Sequence, residues 1–334
     1  MFDNKTILVT GGTGSFGHEV VKSLLETQAA EIRIFSRDED KQYHMQHLYA
    51  AYDRLRFIIG DVRDYGSVRR ATRGVDIVFH AAALKHVPSC EFFPAEAVKT
   101  NINGAQNVIE ACIEENVGRV VAISTDKAVE PINVMGMSKA VQEKLMVGAN
   151  YRRDGFDTVF SVVRYGNVAG SRGSVIPFFR RLIESRKRLT ITSPDMTRFI
   201  LGLPAAVQLV FKASNEAVGG EIFVMRVPAH SVVELARVLL RRAGLPENHY
   251  EIIGVRPGEK LHETLVSPVE ATRTVEAGEY YVILPEIETP AVTARYTRHR
   301  KVTFERYASN SGPLLQGADL EAVLDEAERK KELL

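Results

Sequence analysis

Three glycines, Gly11, Gly14 and Gly17, stand three residues apart in Gly11-Gly12-Thr13-Gly14-Ser15-Phe16-Gly17, between an apolar run and a helical pattern. In that setting they permit a tight turn, let main chain approach a pyrophosphate, and let the helix pack closely on its strand. The phosphates then meet free N–H groups and the positive end of the helix dipole. The spacing therefore predicts a dinucleotide site. The next strand ends in Ser36-Arg37 with Lys41 beyond. A hydroxyl beside a guanidinium suits a 2′-phosphate and favours NADP over NAD, while Asp38 nearby speaks for NAD. Asp61-Val62 fits the usual place for holding the adenine ring.

These residues need a framework that brings them to one edge. Lys5–Thr10, Glu31–Phe35, Leu55–Ile59, Val75–His80, Arg119–Ser124 and Thr158–Arg164 read as buried strands. Helical stretches separate them, among them His18–Leu25 and Pro94–Asn116. Alternation of this kind predicts an α/β protein with a doubly wound parallel sheet of Rossmann type. Ligands bind beyond the carboxyl ends of such strands. Read in order, those ends carry the glycine loop, Ser36-Arg37, Asp61, Ala81–Lys85, Thr125–Lys127 and Tyr165-Gly166-Asn167.

The 334 residues exceed what one compact core usually supports, so a smaller lobe is expected after a first domain of residues 1–170, which later segments join. Within 171–334, Pro177–Ser185 and Ser231–Ala243 read as helices, the second started by Ser231 and stopped by Gly244 and Pro246. Leu189–Thr192 reads as a short strand and 285–313 as an extended arm. Asp319–Leu333 reads as an amphipathic helix for packing or a subunit contact. The net charge of +1 gives no field for nucleic acid or an acidic membrane. Two cysteines, Cys90 and Cys112, without CxxC or a secretory leader, suit a reduced cytoplasmic enzyme. No apolar run reaches the ~20 residues that span a bilayer.

Further segments sharpen the reading. Gly11–Gly17, His80-Ala81-Ala82-Ala83, Ser124-Thr125-Asp126-Lys127 and Arg164-Tyr165-Gly166-Asn167 resemble the extended short-chain dehydrogenase/reductases that modify nucleotide sugars. Ala83–Pro88, Ser171–Val175, Met196–Phe199 and Arg256–Glu263 narrow the resemblance to inverting UDP-N-acetylglucosamine 4,6-dehydratases. It runs from about residue 3 to the final helix, and the Ser-Thr-Asp-Lys segment is its most specific part. The cofactor-binding set it implies is Gly11, Thr13, Gly14, Ser15, Phe16, Gly17, Ser36, Arg37, Lys41, Asp61, Val62, Ala81, Ala82, Lys139, Tyr165 and Asn167.

The resemblance also implies a reaction. Hydride leaves sugar C4 for the nicotinamide, the resulting ketone acidifies C5–H, water is lost across C5 and C6, and hydride returns to C6. Lys127 is then the C5 base and Asp126 the acid for the departing hydroxyl, provided burial raises the Asp and lowers the Lys. The superfamily places Tyr four residues before its helical Lys. Here Lys139 is present but the Tyr position is Met135, whose thioether accepts no proton. Asp126, directly or through Thr125, is the expected acceptor of the C4 hydroxyl proton. A protein that only binds NADP is the competing expectation.

For the UDP-sugar, Arg198 and Arg256 are candidates for the diphosphate because guanidinium forks match phosphate oxygens. The resemblance adds Asn167 near the diphosphate and Lys85 on the sugar side, and the backbone of Leu189–Thr192 is offered to uracil. A dehydratase that retains C5 and a UDP-sugar 4-epimerase are the rival reactions. A homo-oligomer, hexamer or dimer, is implied by resemblance alone. The basic run Arg180–Arg188 has no interleaved aromatics and reads as a solvated face rather than a nucleic-acid site. No His or Cys spacing suggests a metal, and His262-Glu263 lacks the second His of a zinc protease.

Overall fold

The computed structural model describes residues 1–151, 155–170 and 174–329. Six parallel strands form its centre: β1 (Thr6–Thr10), β2 (Glu31–Ser36), β3 (Leu55–Ile59), β4 (Ile77–His80), β5 (Arg119–Ile123) and β6 (Val159–Arg164). Their spatial order is 3-2-1-4-5-6. This is the doubly wound arrangement, in which β1 turns one way to β2 and the other way to β4, opening a crevice at its carboxyl end. Val, Ile and Phe side chains from both faces of β1, β4 and β5 are wholly buried, as a strand covered by helices on two sides requires.

Beyond β6 the sheet continues with Ile222–Met225, parallel, and then with the antiparallel hairpin Tyr280–Ile283 and Thr274–Ala277. A second core gathers Ile176, Phe179, Leu189, Ile191, Leu235 and Leu239. Helix Gly317–Arg329 sinks Leu320 and Leu324 into it, so the described part of that helix has a packing role; residues 330–333 of the expected helix lie outside the described residues. Ser231 caps helix Val232–Arg242 by accepting from Glu234 N at 3.0 Å.

Two expectations need correction. Pro94–Asn116 is not one regular helix: Pro94–Ala97 leads into a π-helical turn, Val98–Asn103, before Gly104–Glu114. Periodicity misses such a turn because one inserted residue rotates the apolar stripe without removing it. Nor is 285–313 simply an extended arm. Thr289 accepts from Val292 N and Pro290 opens helix Pro290–Tyr296, which buries Val292 and Tyr296. Tyr307–Ala308 then pairs with Thr264–Val266.

Candidate active site

The glycine loop leaves β1 and enters helix Ser15–Leu25, three residues earlier than the expected His18. Gly11 has φ +67° and a Cβ there would lie 2.8 Å from Ala82 N. A Cβ on Gly17 would lie 2.5 Å from Gly11 O, so only bare backbone lets the helix start this close to the strand. The ends of β1 and β4 are joined by Thr10 Oγ1 and His80 Nδ1 at 2.8 Å, and Ala82 N donates to Thr10 Oγ1 at 3.3 Å. Ala81 and Ala82 therefore form the floor under the glycine loop. Burial holds His80 at about 3, so the ring is neutral.

Ser36 is buried and accepts from Thr13 Oγ1 at 3.1 Å, tying β2 to the loop. The cations beside it are already partnered. Arg37 lies 3.7 Å from Asp61, and Lys41 meets Asp38, the cap of helix Glu39–Leu48. Burial would raise Asp61, but Arg63 holds it below the usual carboxylate range through hydrogen bonds at 2.9 and 2.6 Å. Val62 is buried, its carbonyl accepting from Asn107 at 2.9 Å. Phe16 packs against Tyr165 with ring centroids 5.7 Å apart.

After β5, Ser124 N and Asp126 N extend the ladder onto Val163 O and Tyr165 O, and the chain tightens into the 3₁₀ turn Asp126–Ala128. Asp126 has no exposed surface. Its Oδ1 accepts from Thr125 Oγ1 at 2.8 Å and from Lys127 Nζ at 2.9 Å, while its Oδ2 is buried without a partner. Lys127 Nζ also reaches Asn167 Oδ1 at 3.4 Å and Glu263 Oε1 at 3.3 Å. Burial raises the Asp126 carboxyl, as expected. The expected lowering of Lys127 does not occur: burial acts in that direction, but Asp126 and Glu263 together outweigh it and hold the ammonium above its ordinary value.

Helix Val134–Ala149 supplies the third part. Asn133 caps it by accepting from Gly136 N at 2.8 Å, and a Cβ on Gly136 would lie 2.2 Å from Lys127 O. The helix thus lies directly against the 3₁₀ turn Asp126–Ala128. Lys139 Nζ donates to Ile123 O at 2.5 Å and to Gln142 Oε1 at 2.6 Å, and burial brings it down to about 8. One turn earlier Met135 is buried with Cys90 and Ala97, and Leu84 packs against them.

Arg256 is half exposed and lies 3.8 Å from Glu259. Arg198 is buried and has turned inward: its guanidinium donates to Thr197 O, Leu261 O and Lys260 O at 2.7, 3.1 and 2.9 Å. Those forks hold the segment carrying Glu263 instead of facing outward for phosphate. Lys85 is on the exposed side of the loop after β4. Leu189–Ile191 pairs one edge with Tyr250–Ile252. Of the motif Ser171–Val175, residues 171–173 lie outside the described residues.

The sequence reading missed two residues. Glu263 lies within the quoted Arg256–Glu263 segment, but no spacing connects it to Asp126. Asn101, on the π turn, accepts from Leu84 N at 2.8 Å and donates to Leu84 O and Ser138 Oγ at 2.9 Å each. It couples the loop bearing Lys85 to the helix bearing Lys139. Among the described residues no cluster of His, Cys, Asp or Glu suits a metal, and no helix is long and apolar enough to cross a membrane.

Known proteins are similar to this chain over most of its length. Residues 7–285 match the family described as polysaccharide biosynthesis protein. The chain belongs to this family. It is of the extended short-chain dehydrogenase/reductase type. A UDP-glucose 4-epimerase of Rickettsia canadensis (strain McKiel) is 50% identical over 287 residues, covering 85% of this chain and 84% of that protein. An inverting UDP-N-acetylglucosamine 4,6-dehydratase of Campylobacter jejuni is 48% identical over 290 residues, 86% of this chain and 85% of that one. The X-ray structure of Pen from Bacillus thuringiensis superposes with TM-score 0.91 at 35% identity, covering 98% of this chain and 99% of that one.

Proposed function

We propose that this chain is a 4,6-dehydratase acting on UDP-N-acetylglucosamine with inversion at C5. The observation that carries this reading is the buried Asp126–Lys127 pair at the carboxyl edge of β5, hydrogen-bonded at 2.9 Å and braced by Thr125. An epimerase returns hydride to the carbon it left and has no use for an acid and a base at C5 and C6. A protein that only bound a dinucleotide would have no use for the pair either.

The glycine cradle, in which a Cβ on Gly11 or Gly17 would strike main chain, fits a dinucleotide. Gly11, Thr13, Gly14, Ser15, Phe16 and Gly17 would hold its pyrophosphate, Ser36 with Arg37 and Lys41 its adenosine ribose, and Asp61 and Val62 its adenine. Ala81, Ala82, Tyr165, Asn167 and Lys139 would border the nicotinamide half. When bound, such a cofactor supplies the hydride acceptor for sugar C4 and the donor for C6. NADP is the form we favour, from Arg37 beside Ser36. Lys127, Lys85, Asn167 and Arg256 would face the sugar nucleotide.

With Met135 in an apolar pocket, the C4 hydroxyl proton goes to Asp126, whose raised proton affinity suits a group that accepts a proton and then releases it. The same proton leaves with the C6 hydroxyl as water. Lys127, having released its ammonium proton to solvent, removes the proton at C5, and C5 takes a proton back when hydride reaches C6.

The Rickettsia relative's name supports 4-epimerisation as the second reading. Incubation with UDP-N-acetylglucosamine in deuterated water, followed by NMR, separates the two. A dehydratase yields a 6-deoxy-4-ketone labelled at C5, with coupling constants that report inversion or retention there. A C4 epimer without label at C5 would overturn the proposal.

A further inference from the structure

Two buried carboxylates share one ammonium behind the proposed site. Glu263 is 2% exposed, and its Oε1 is 3.3 Å from Lys127 Nζ, which also makes the 2.9 Å contact with Asp126. Each carboxylate keeps one buried oxygen, Asp126 Oδ2 and Glu263 Oε2, without a partner. Glu263 is built in from elsewhere in the chain. Ser309 Oγ accepts from Glu263 N at 3.0 Å, and Arg198 clamps the carbonyls of Lys260 and Leu261 while its Nε lies 3.8 Å from Glu263 Oε1. A buried acid set 3.3 Å from the Lys127 ammonium, with one oxygen left unpartnered, calls for a reason.

We propose that Glu263 is a positioning residue of the reaction: it is the permanent anion facing Lys127, and it leaves Asp126 as the carboxyl that carries the proton. This rests on the dehydratase reading. Two carboxylates beside one cation do not ionise equally, and the one with more cations around it stays charged. Glu263 faces Lys127 from the 3₁₀ turn, Arg198 from strand Thr197–Leu201, and Lys260 from its own segment. Asp126 faces Lys127, Glu263 and, further off, Lys260. Glu130, beyond the turn, is paired with Arg306 at 2.8 Å. Burial would raise both acids, but the three cations hold Glu263 below its ordinary value while Asp126 stays above its own.

Removing the anion has a defined sign. In Glu263→Gln, Asp126 loses a like charge and Lys127 loses a counter-charge, so both titrate at lower pH. The test follows the Asp126 carboxyl by NMR in protein carrying [4-¹³C]aspartate, its signal assigned by its loss in Asp126→Asn. The pH profile of kcat on UDP-N-acetylglucosamine is recorded in parallel. We expect Glu263→Gln to move the Asp126 midpoint, and the acid limb of the profile, down by about one pH unit. Glu263→Asp, which withdraws the charge by one methylene, moves both the same way by less, and decides the matter if the Gln variant does not fold. An Asp126 midpoint unchanged in the folded variants, with rates lowered equally at every pH, would leave Glu263 a structural residue and overturn the proposal. If the parent protein does not turn over the sugar nucleotide, the dehydratase reading fails, and the carboxyl titration still decides the role of Glu263.

Discussion

The glycine cradle and the acid–base cluster stand at the same sheet edge but are built in different ways. The cradle is local: Gly11 to Gly17 fold on themselves, and the neighbouring strands add Ala82 below and Ser36 beside. The cluster joins Asp126 and Lys127 to Glu263, 136 residues further on and held by Arg198 and Ser309. A local device made from main chain tolerates changes at its rim and fails only where a side chain would enter. A cluster of buried charges depends on each member, because removing one leaves the others unpaired in a medium that solvates them poorly.

The hardest test of that contrast is Asp126→Asn. The amide keeps the shape and cannot carry the proton, so turnover of UDP-N-acetylglucosamine should fall ~10²- to 10⁴-fold. Dinucleotide affinity, measured by fluorescence titration, should stay within about twofold because the cradle does not touch this carboxylate. A variant that lost cofactor binding and turnover together would show that cradle and cluster are not separable.

Asn101→Ala comes next. It leaves Leu84 N and O without their partner, while Ser138 Oγ keeps its bond to Met135 O, and buried groups so stranded cost ~1–3 kcal/mol in urea unfolding. If Asn101 couples the Lys85 loop to the Lys139 helix, KM should rise several-fold while kcat changes less. Equal loss in both would assign it to the chemistry instead.

This asymmetry also explains what could be read from residues alone. Strand–helix alternation, the Gly11–Gly17 loop and the Ser231 cap are encoded within a few positions of themselves, and the sheet order follows from them with few alternatives. The thioether of Met135 was readable because it breaks a local i, i+4 pair with Lys139. Glu263 was not, since its meaning lies in a distance across the fold. The charge state of Lys127 went the wrong way for the same reason: burial was foreseeable, but the second carboxylate that outweighs it was not. By residue type Arg198 suits a phosphate clamp, and only the fold shows its guanidinium engaged on main-chain carbonyls.

Acid separates the regions further through His80, which joins the strand ends beneath the cradle. Its folded-state value of about 3 lies below the unfolded 6.5, so the unfolded chain binds the proton more readily. The stability this gives is complete above pH 6.5 and lost as pH falls toward 3. Between pH 7 and pH 5 the loss should be about 2 kcal/mol from this residue. Urea unfolding at the two values measures it, and His80→Gln should remove most of the difference. An undiminished pH effect in that variant would show that His80 is not the source of the acid sensitivity.

The smallest expected effect lies at the rim of the cradle. Arg37 is more than half exposed and shares Asp61 with Arg63, so its charge is partly offset before any ribose phosphate arrives. If Arg37 nevertheless meets a 2′-phosphate, Arg37→Ala should weaken NADP about tenfold and leave NAD nearly unchanged, since an exposed charge-assisted contact contributes ~1–1.5 kcal/mol. Competitive binding of the two dinucleotides reads the ratio directly. Equal weakening of both, or of neither, would mean that Arg37 serves Asp61 alone, and that the adenosine pocket reads the ribose through Ser36, with NAD as the natural occupant.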